Sequence, residues 1–183
     1  MRSIYKIVVC SLLTLSITSC EKDLLEKEQY QKEIYLIGAY NRVWTTEVSY
    51  SNEEVKTYFT VSSSGTLALD RDVNVKMKIN EELVDIYNKK YWTVLNEDKY
   101  YKSLDTDLYS IPSLENTVIK HAEGISAEVP VLIKTASLKI DQSYVIPVEI
   151  ESTTGYPIST SGYKMLVLLK LKISQELYWT LRK

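Results

Sequence analysis

The 183-residue chain has one histidine, one phenylalanine, two cysteines, four prolines and five glycines. The single histidine, His121, has no second histidine with which to complete a catalytic arrangement, and no Gly-x-Ser-x-Gly elbow is present. Five scattered glycines build no phosphate-cradling loop. With 22 basic residues against 24 acidic ones, the chain lacks the positive stripe that nucleic acid requires. Asp105 and Asp107 have the spacing of half a calcium loop, but the glycine and bidentate glutamate of an EF-hand do not follow. Carboxylates at that spacing occur in any acidic chain, so they do not mark the facing pair of a glycosidase. No enzyme activity, cofactor, metal or nucleic-acid partner is expected.

What is present begins with a leader. Arg2 and Lys6 precede an apolar run over residues 7–17, too short for a bilayer span of about 20 residues. The run ends in Ile17, Thr18, Ser19 and Cys20, which resembles the lipobox of bacterial lipoproteins. The resemblance implies a signal peptide over residues 1–19 and a lipid on Cys20 that keeps the chain on a membrane, the alternative being an ordinary secretory signal with a chance cysteine. Two or more acyl chains would hold it there stably. Cys10 leaves with the leader and Cys20 carries lipid, so neither free thiol nor disulfide is expected. Residues 20–32 are charged, without glycine or proline, and read as a tether. The domain is expected over residues 33–174, with a tail over 175–183.

The domain reads as strands. Val73, Val75, Met77 and Ile79 alternate with Asn74, Lys76, Lys78 and Asn80, the pattern of a sheet with one wet face. The run before it, residues 57–61, is β-rich, and the serines at 62–64 with Gly65 make a turn. Asn80 is placed as an N-cap for a helix over residues 81–90, with Leu83, Ile86 and Tyr87 turned to a sheet edge. Further strands are expected over residues 34–40, 43–48, 117–120, 128–135, 144–150 and 163–173. Leu166 and Leu168 double the apolar face of the last, so it is central or abuts something. Residues 91–111, polar and aromatic, read as a long surface connection. About seven strands and one short helix argue an all-β, immunoglobulin-like β-sandwich, with a barrel as the alternative.

The aromatic set is skewed, with 15 tyrosines and three tryptophans. Such rings suit half-wet sheet faces and also sugar rings, which stack on them. Trp44, Trp92, Tyr100 and Tyr101 fall in or beside the expected connections and are the candidate ligand-binding residues.

The stretch from Ser62 through Tyr91, the Leu108-Tyr109-Ser110 element, the Gly124-centred turn and the run Tyr144-Val145-Ile146-Pro147-Val148 follow one another in a fixed order. Together they resemble the N-terminal domain of Bacteroidetes outer-membrane lipoproteins encoded among glycan-utilisation genes, long catalogued as a domain of unknown function. The resemblance implies an immunoglobulin-like sandwich at the cell surface, in proteins that handle polysaccharide. In that family a second domain usually follows and tends to carry the activity, whereas this sequence stops at Lys183. Tyr87 and Asn88 match the family pattern, where they hold the helix end to the sheet or touch ligand. Two functions follow. One is a glycan-binding accessory protein; the other is a spacer or docking module, or a pilus-type subunit, that meets another outer-membrane protein through a surface such as Leu166 and Leu168.

Overall fold

The computed structural model describes residues 27–92 and 94–173. The expected leader, Cys20, most of the tether and the tail lie outside them. Among the described residues ten strands and one helix follow in order: β1 (Ile34–Leu36), β2 (Val43–Ser49), β3 (Glu54–Ser63), β4 (Val73–Ile79), α1 (Glu82–Tyr91), β5 (Lys102–Ser103), β6 (Tyr109–Ser110), β7 (Thr117–Ile119), β8 (Ser126–Lys134), β9 (Tyr144–Thr153) and β10 (Lys164–Lys172). One sheet runs β1-β3-β8-β6; the other runs β2-β10-β9-β4-β7, with β5 joined to β9. The chain is an all-β sandwich with one short helix, as its alternation implies.

The core lies between the sheets and is set by period 2. Phe59, Val61, Val129, Val131 and Ile133 face inward from one sheet at 1% exposure or less. Val73, Val75, Met77, Ile146, Val148, Met165 and Val167 meet them from the other. Proline interrupts two strands without breaking them. Pro130 lies where β8 has no outer neighbour, since β6 pairs only with Ile133 and Leu132. Pro147 lies in the gap between β4, whose pairing with β9 ends at Val148, and β5, whose pairing ends at Val145. No strand there needs its missing N–H.

Several expected boundaries move for physical reasons. The serine run does not end β3, because Ser62 and Ser63 stay in the strand at 2% and 1% exposure. Their hydroxyls are satisfied by backbone carbonyls, Ser62 Oγ donating to Ile125 O (3.2 Å) and Ser63 Oγ to Ser64 O (2.9 Å). The turn falls at Gly65, with φ +109°. Residues 34–40 are not one strand. β1 stops at Leu36 and the chain turns at Gly38, φ +86°, where a Cβ would come within 2.6 Å of Trp44 Cε3. The long connection is not a bare loop either: it lends β5 to one sheet and β6 to the other and buries Leu104.

The helix lies on the outer face of the second sheet rather than at its edge. Leu83 and Val84 pack on Val145 and Leu166. This explains the doubled apolar face of β10, which is both central and covered. It also corrects the docking surface drawn from Leu166 and Leu168, since Leu166 is 2% exposed beneath α1. Ile86, expected on the packed stripe, is 52% exposed. Asn80, expected as the N-cap, lies one residue before the cap position, Glu81, whose side chain makes no capping bond; Asn80 Oδ1 accepts the Glu82 N–H at 3.2 Å. The last part of the tether is fixed: Glu28 accepts from the Thr66 N–H (2.6 Å), and Lys32 Nζ donates to Leu67 O (2.6 Å).

Candidate functional site

A groove of about 330 Å3 opens beside α1, between the helix, the turn at residues 38–42 and the connection from β9 to β10. Its floor is apolar and buried, made by Ala39, Leu83, Met165 and Leu166. Its walls are Tyr40 and Arg42 on one side, Thr160, Ser161, Tyr163 and Lys164 on another, and Ile86 with Tyr87 from the helix. Tyr40 is 89% exposed, so an aromatic face stands free at the mouth.

Local structure explains each wall. Gly38 and Arg42 bracket a single 3-10 turn, both with left-handed backbone, φ +86° and +64°. The Arg42 N–H donates to Ala39 O (2.8 Å), and its carbonyl accepts the Leu166 N–H (2.8 Å), the first rung of the β2–β10 pairing. Arg42 is the sole non-glycine residue with positive φ among the described residues. β1 brings the opposite wall close. Its Ile34 and Leu36 N–H groups donate to Pro157 O and Gly162 O, both at 2.8 Å, which carries residues 157–162 toward the turn. On the helix, Leu83, Ile86 and Tyr87 fall on one stripe by i, i+3, i+4 spacing.

At the other end of α1 the aromatics form a ladder. Tyr87 stacks on Tyr101 at 5.3 Å and 13° and meets Tyr91 at 4.5 Å. Burial, with Tyr101 nearby, pushes the Tyr87 hydroxyl above its ordinary pKa. Asn88, 4% exposed, clamps the ladder in place: its Oδ1 accepts the Tyr101 N–H (3.0 Å) and its Nδ2 donates to Tyr101 O (2.9 Å). Asn88 therefore holds the connection to the helix, and Tyr87 both joins that packing and lines the groove.

The four candidate residues are not gathered into one site. Tyr101 is packed in the ladder. Trp92 follows the helix, its N–H buried without a partner, with Lys99 Nζ 5.9 Å from its ring centroid. Tyr100 is half-buried, its carbonyl accepting from Gln142 Nε2 at 3.4 Å. Trp44 pairs in register with Val167 and stays 37% exposed, its ring packed against Gly38 behind the turn at residues 38–42 and not among the groove's lining. The groove residues Tyr40, Arg42, Tyr163 and Lys164 are absent from that set. The signal that could have found the turn is local: Gly38 and Asn41 in Gly38-Ala39-Tyr40-Asn41-Arg42 are turn formers inside an apparent strand.

Away from the groove, His121 Nδ1 lies 2.6 Å from Asp72 Oδ1 on the exposed surface, and this contact lowers the Asp72 pKa. No group of three His, Cys, Asp or Glu residues that could hold a metal occurs among the described residues.

A family model for an N-terminal domain matches residues 30–157. The chain belongs to this N-terminal-domain family. The match covers the strands from β1 through β9 and includes α1, the stretch over which the resemblance runs. Solved structures from Bacteroides share the family fold at low identity. A Bacteroides ovatus protein of unknown function superposes with a TM-score of 0.61 at 17% identity, over 79% of this chain and 47% of its own. A second B. ovatus protein, a candidate carbohydrate-binding protein by name, gives 0.58 at 18% identity, over 75% and 36%. An auxiliary nutrient-binding protein of Bacteroides thetaiotaomicron gives 0.56 at 14% identity, over 75% and 46%. This family member thus spans less than half the length of those proteins. No curated protein matches it in sequence.

Proposed function

We propose that the chain is a non-catalytic accessory protein that binds glycan in the groove beside α1, held at the outer membrane by lipid on Cys20. The observation that carries the reading is the groove itself. An apolar floor beside the free Tyr40 ring, with the hydroxyls of Thr160 and Ser161 at the rim, offers stacking for a sugar ring and partners for its hydroxyls. Structural neighbours named for carbohydrate and nutrient binding support it. Trp92, Tyr100 and Tyr101 then serve to fix the helix and its connection, and Tyr40 takes the sugar.

Affinity electrophoresis of the detergent-solubilised protein through gels carrying host and plant polysaccharides tests the reading. Retardation by at least one polymer is expected, with Tyr40→Ala weakening it about tenfold, or about 1.4 kcal/mol, and Tyr58→Ala, at an exposed ring of the other sheet, leaving it unchanged. If no polymer retards the folded protein, a spacer or docking role takes its place. Labelling with radioactive palmitate tests the anchor: the parent should incorporate label and Cys20→Ala should not.

A further inference from the structure

Two cations and no carboxylate line the groove. Arg42 and Lys164 both line it, at the neighbouring ends of β2 and β10, in a chain whose formal net charge is −2. The two arginines among the described residues differ in what they meet. Arg71 is occupied by Asp70, its Nε 3.0 Å from Oδ1 and its Nη2 2.8 Å from Oδ2. Lys32, Lys76, Lys78, Lys120 and Lys172 meet carboxylates, while Lys164 is one of several described lysines that do not, Lys56, Lys90 and Lys99 among them. Among the described residues, no ion pair reaches Arg42 or Lys164. The Lys164 ammonium instead lies 4.9 Å from the Tyr163 ring centroid, held over an aromatic wall.

The backbone adds an independent observation. Arg42 sits at φ +64°, where a side chain with a Cβ is disfavoured and glycine or asparagine is the usual choice. An arginine kept in such a conformation at the mouth of a groove fits a role for its guanidinium. A planar fork of N–H donors matches a carboxylate or a sulfate in two parallel hydrogen bonds, and the ammonium supplies a second point of charge.

We propose that the groove selects acidic polysaccharide, with Arg42 and Lys164 meeting the anionic substituent of a sugar ring that stacks on Tyr40. This rests on the glycan-binding reading above and names the class of ligand. Carboxylated and sulfated sugars share the required chemistry. Because the protein as a whole is acidic, general ion exchange works against polyanions, and retention must come from a local site.

The experiment is affinity electrophoresis of the full-length protein in detergent with four probes: polygalacturonate, its methyl ester, dextran sulfate and dextran. The expected result is retention by polygalacturonate or dextran sulfate at least tenfold stronger than by its uncharged counterpart, falling with added salt. Which anionic polymer is retained identifies carboxylate or sulfate as the recognised group. Arg42→Gln and Lys164→Gln should each lower that retention at least tenfold. Arg42→Gly, which suits the left-handed backbone, should do the same while the near-ultraviolet circular dichroism stays that of the parent. Retention of anionic polymers that survives all three substitutions overturns the proposal. So does equal retention of charged and uncharged polymers, which leaves glycan binding standing. Absence of retention by these four and by the wider panel removes both readings together.

Discussion

Asn88 shows how one side chain can join two segments. Its amide satisfies both backbone groups of Tyr101, and truncation would leave a buried N–H and C=O unpaired. Asn88→Ala should cost about 2–3 kcal/mol by urea denaturation, and hydrogen exchange should rise first at Tyr101. A loss below 0.5 kcal/mol would show that the clamp is dispensable. Tyr109 presents the opposite case. Its hydroxyl is buried with no partner, and burial pushes its pKa up to about 12. Tyr109→Phe should leave stability unchanged or raise it by about 1 kcal/mol. The raised value also fixes a sign. The unfolded phenol ionises near pH 10 and the folded one near 12. The contribution of Tyr109 is thus fully present below pH 10 and lost as pH climbs through 12. Ultraviolet titration of the phenolates should lose a late-titrating tyrosine on going from the parent to the phenylalanine variant, while Tyr87, also raised, still titrates late. Arg42→Gly should unfold no earlier than the parent and up to about 1 kcal/mol later, since glycine relieves the left-handed backbone.

The helix and the outer face of β9 and β10 form a second, smaller core, separate from the one between the sheets. Leu83, Val84, Val145 and Leu166 are its buried members. Leu166→Ala should cost about 2–5 kcal/mol, the usual range for a buried leucine, and should also loosen the groove floor, weakening any ligand. Lys170→Ala, on an exposed position of the same strand, should cost under 0.5 kcal/mol. Strand alternation was readable here because each sheet face has one environment: Val73, Val75 and Met77 point inward as their spacing implies. The helix was readable in extent but not in placement. Leu166 and Leu168 signalled that something covers β10, yet the cover comes from residues 80 positions earlier in the chain, a long-range fact that no local pattern holds. The groove was hidden for the same reason. Arg42 and Lys164 look like ordinary surface charge until the β2–β10 pairing puts them on one opening.

Taken whole, the domain carries its ion pairs on the outside, and their effect on stability has a common direction. Lys172 lowers the Glu47 pKa, Lys76 lowers that of Glu151, and His121 lowers that of Asp72. Carboxylates with depressed folded-state values stabilise above their unfolded values, near 4, and lose that contribution as pH falls. Urea midpoints should therefore be level from pH 7 to about 5 and decline below 4, more shallowly in 1 M salt, because these exposed charges are screened. A midpoint that rises on acidification would contradict the assignment. The sandwich itself was legible from strand count and spacing, while its strand order was not, because parallel pairing of β2 with β10 leaves no turn between them to read. That pairing has a mechanical consequence. Tension applied between residues 33 and 173 would first detach the three-residue β1 and then pull β2 and β10 from opposite ends along their shared axis. Parallel neighbours loaded this way slide in shear, so the rungs from Val43 to Ser49 bear the load together instead of opening one at a time. A domain joined so would yield abruptly, at high force, and act as a stiff strut under flow.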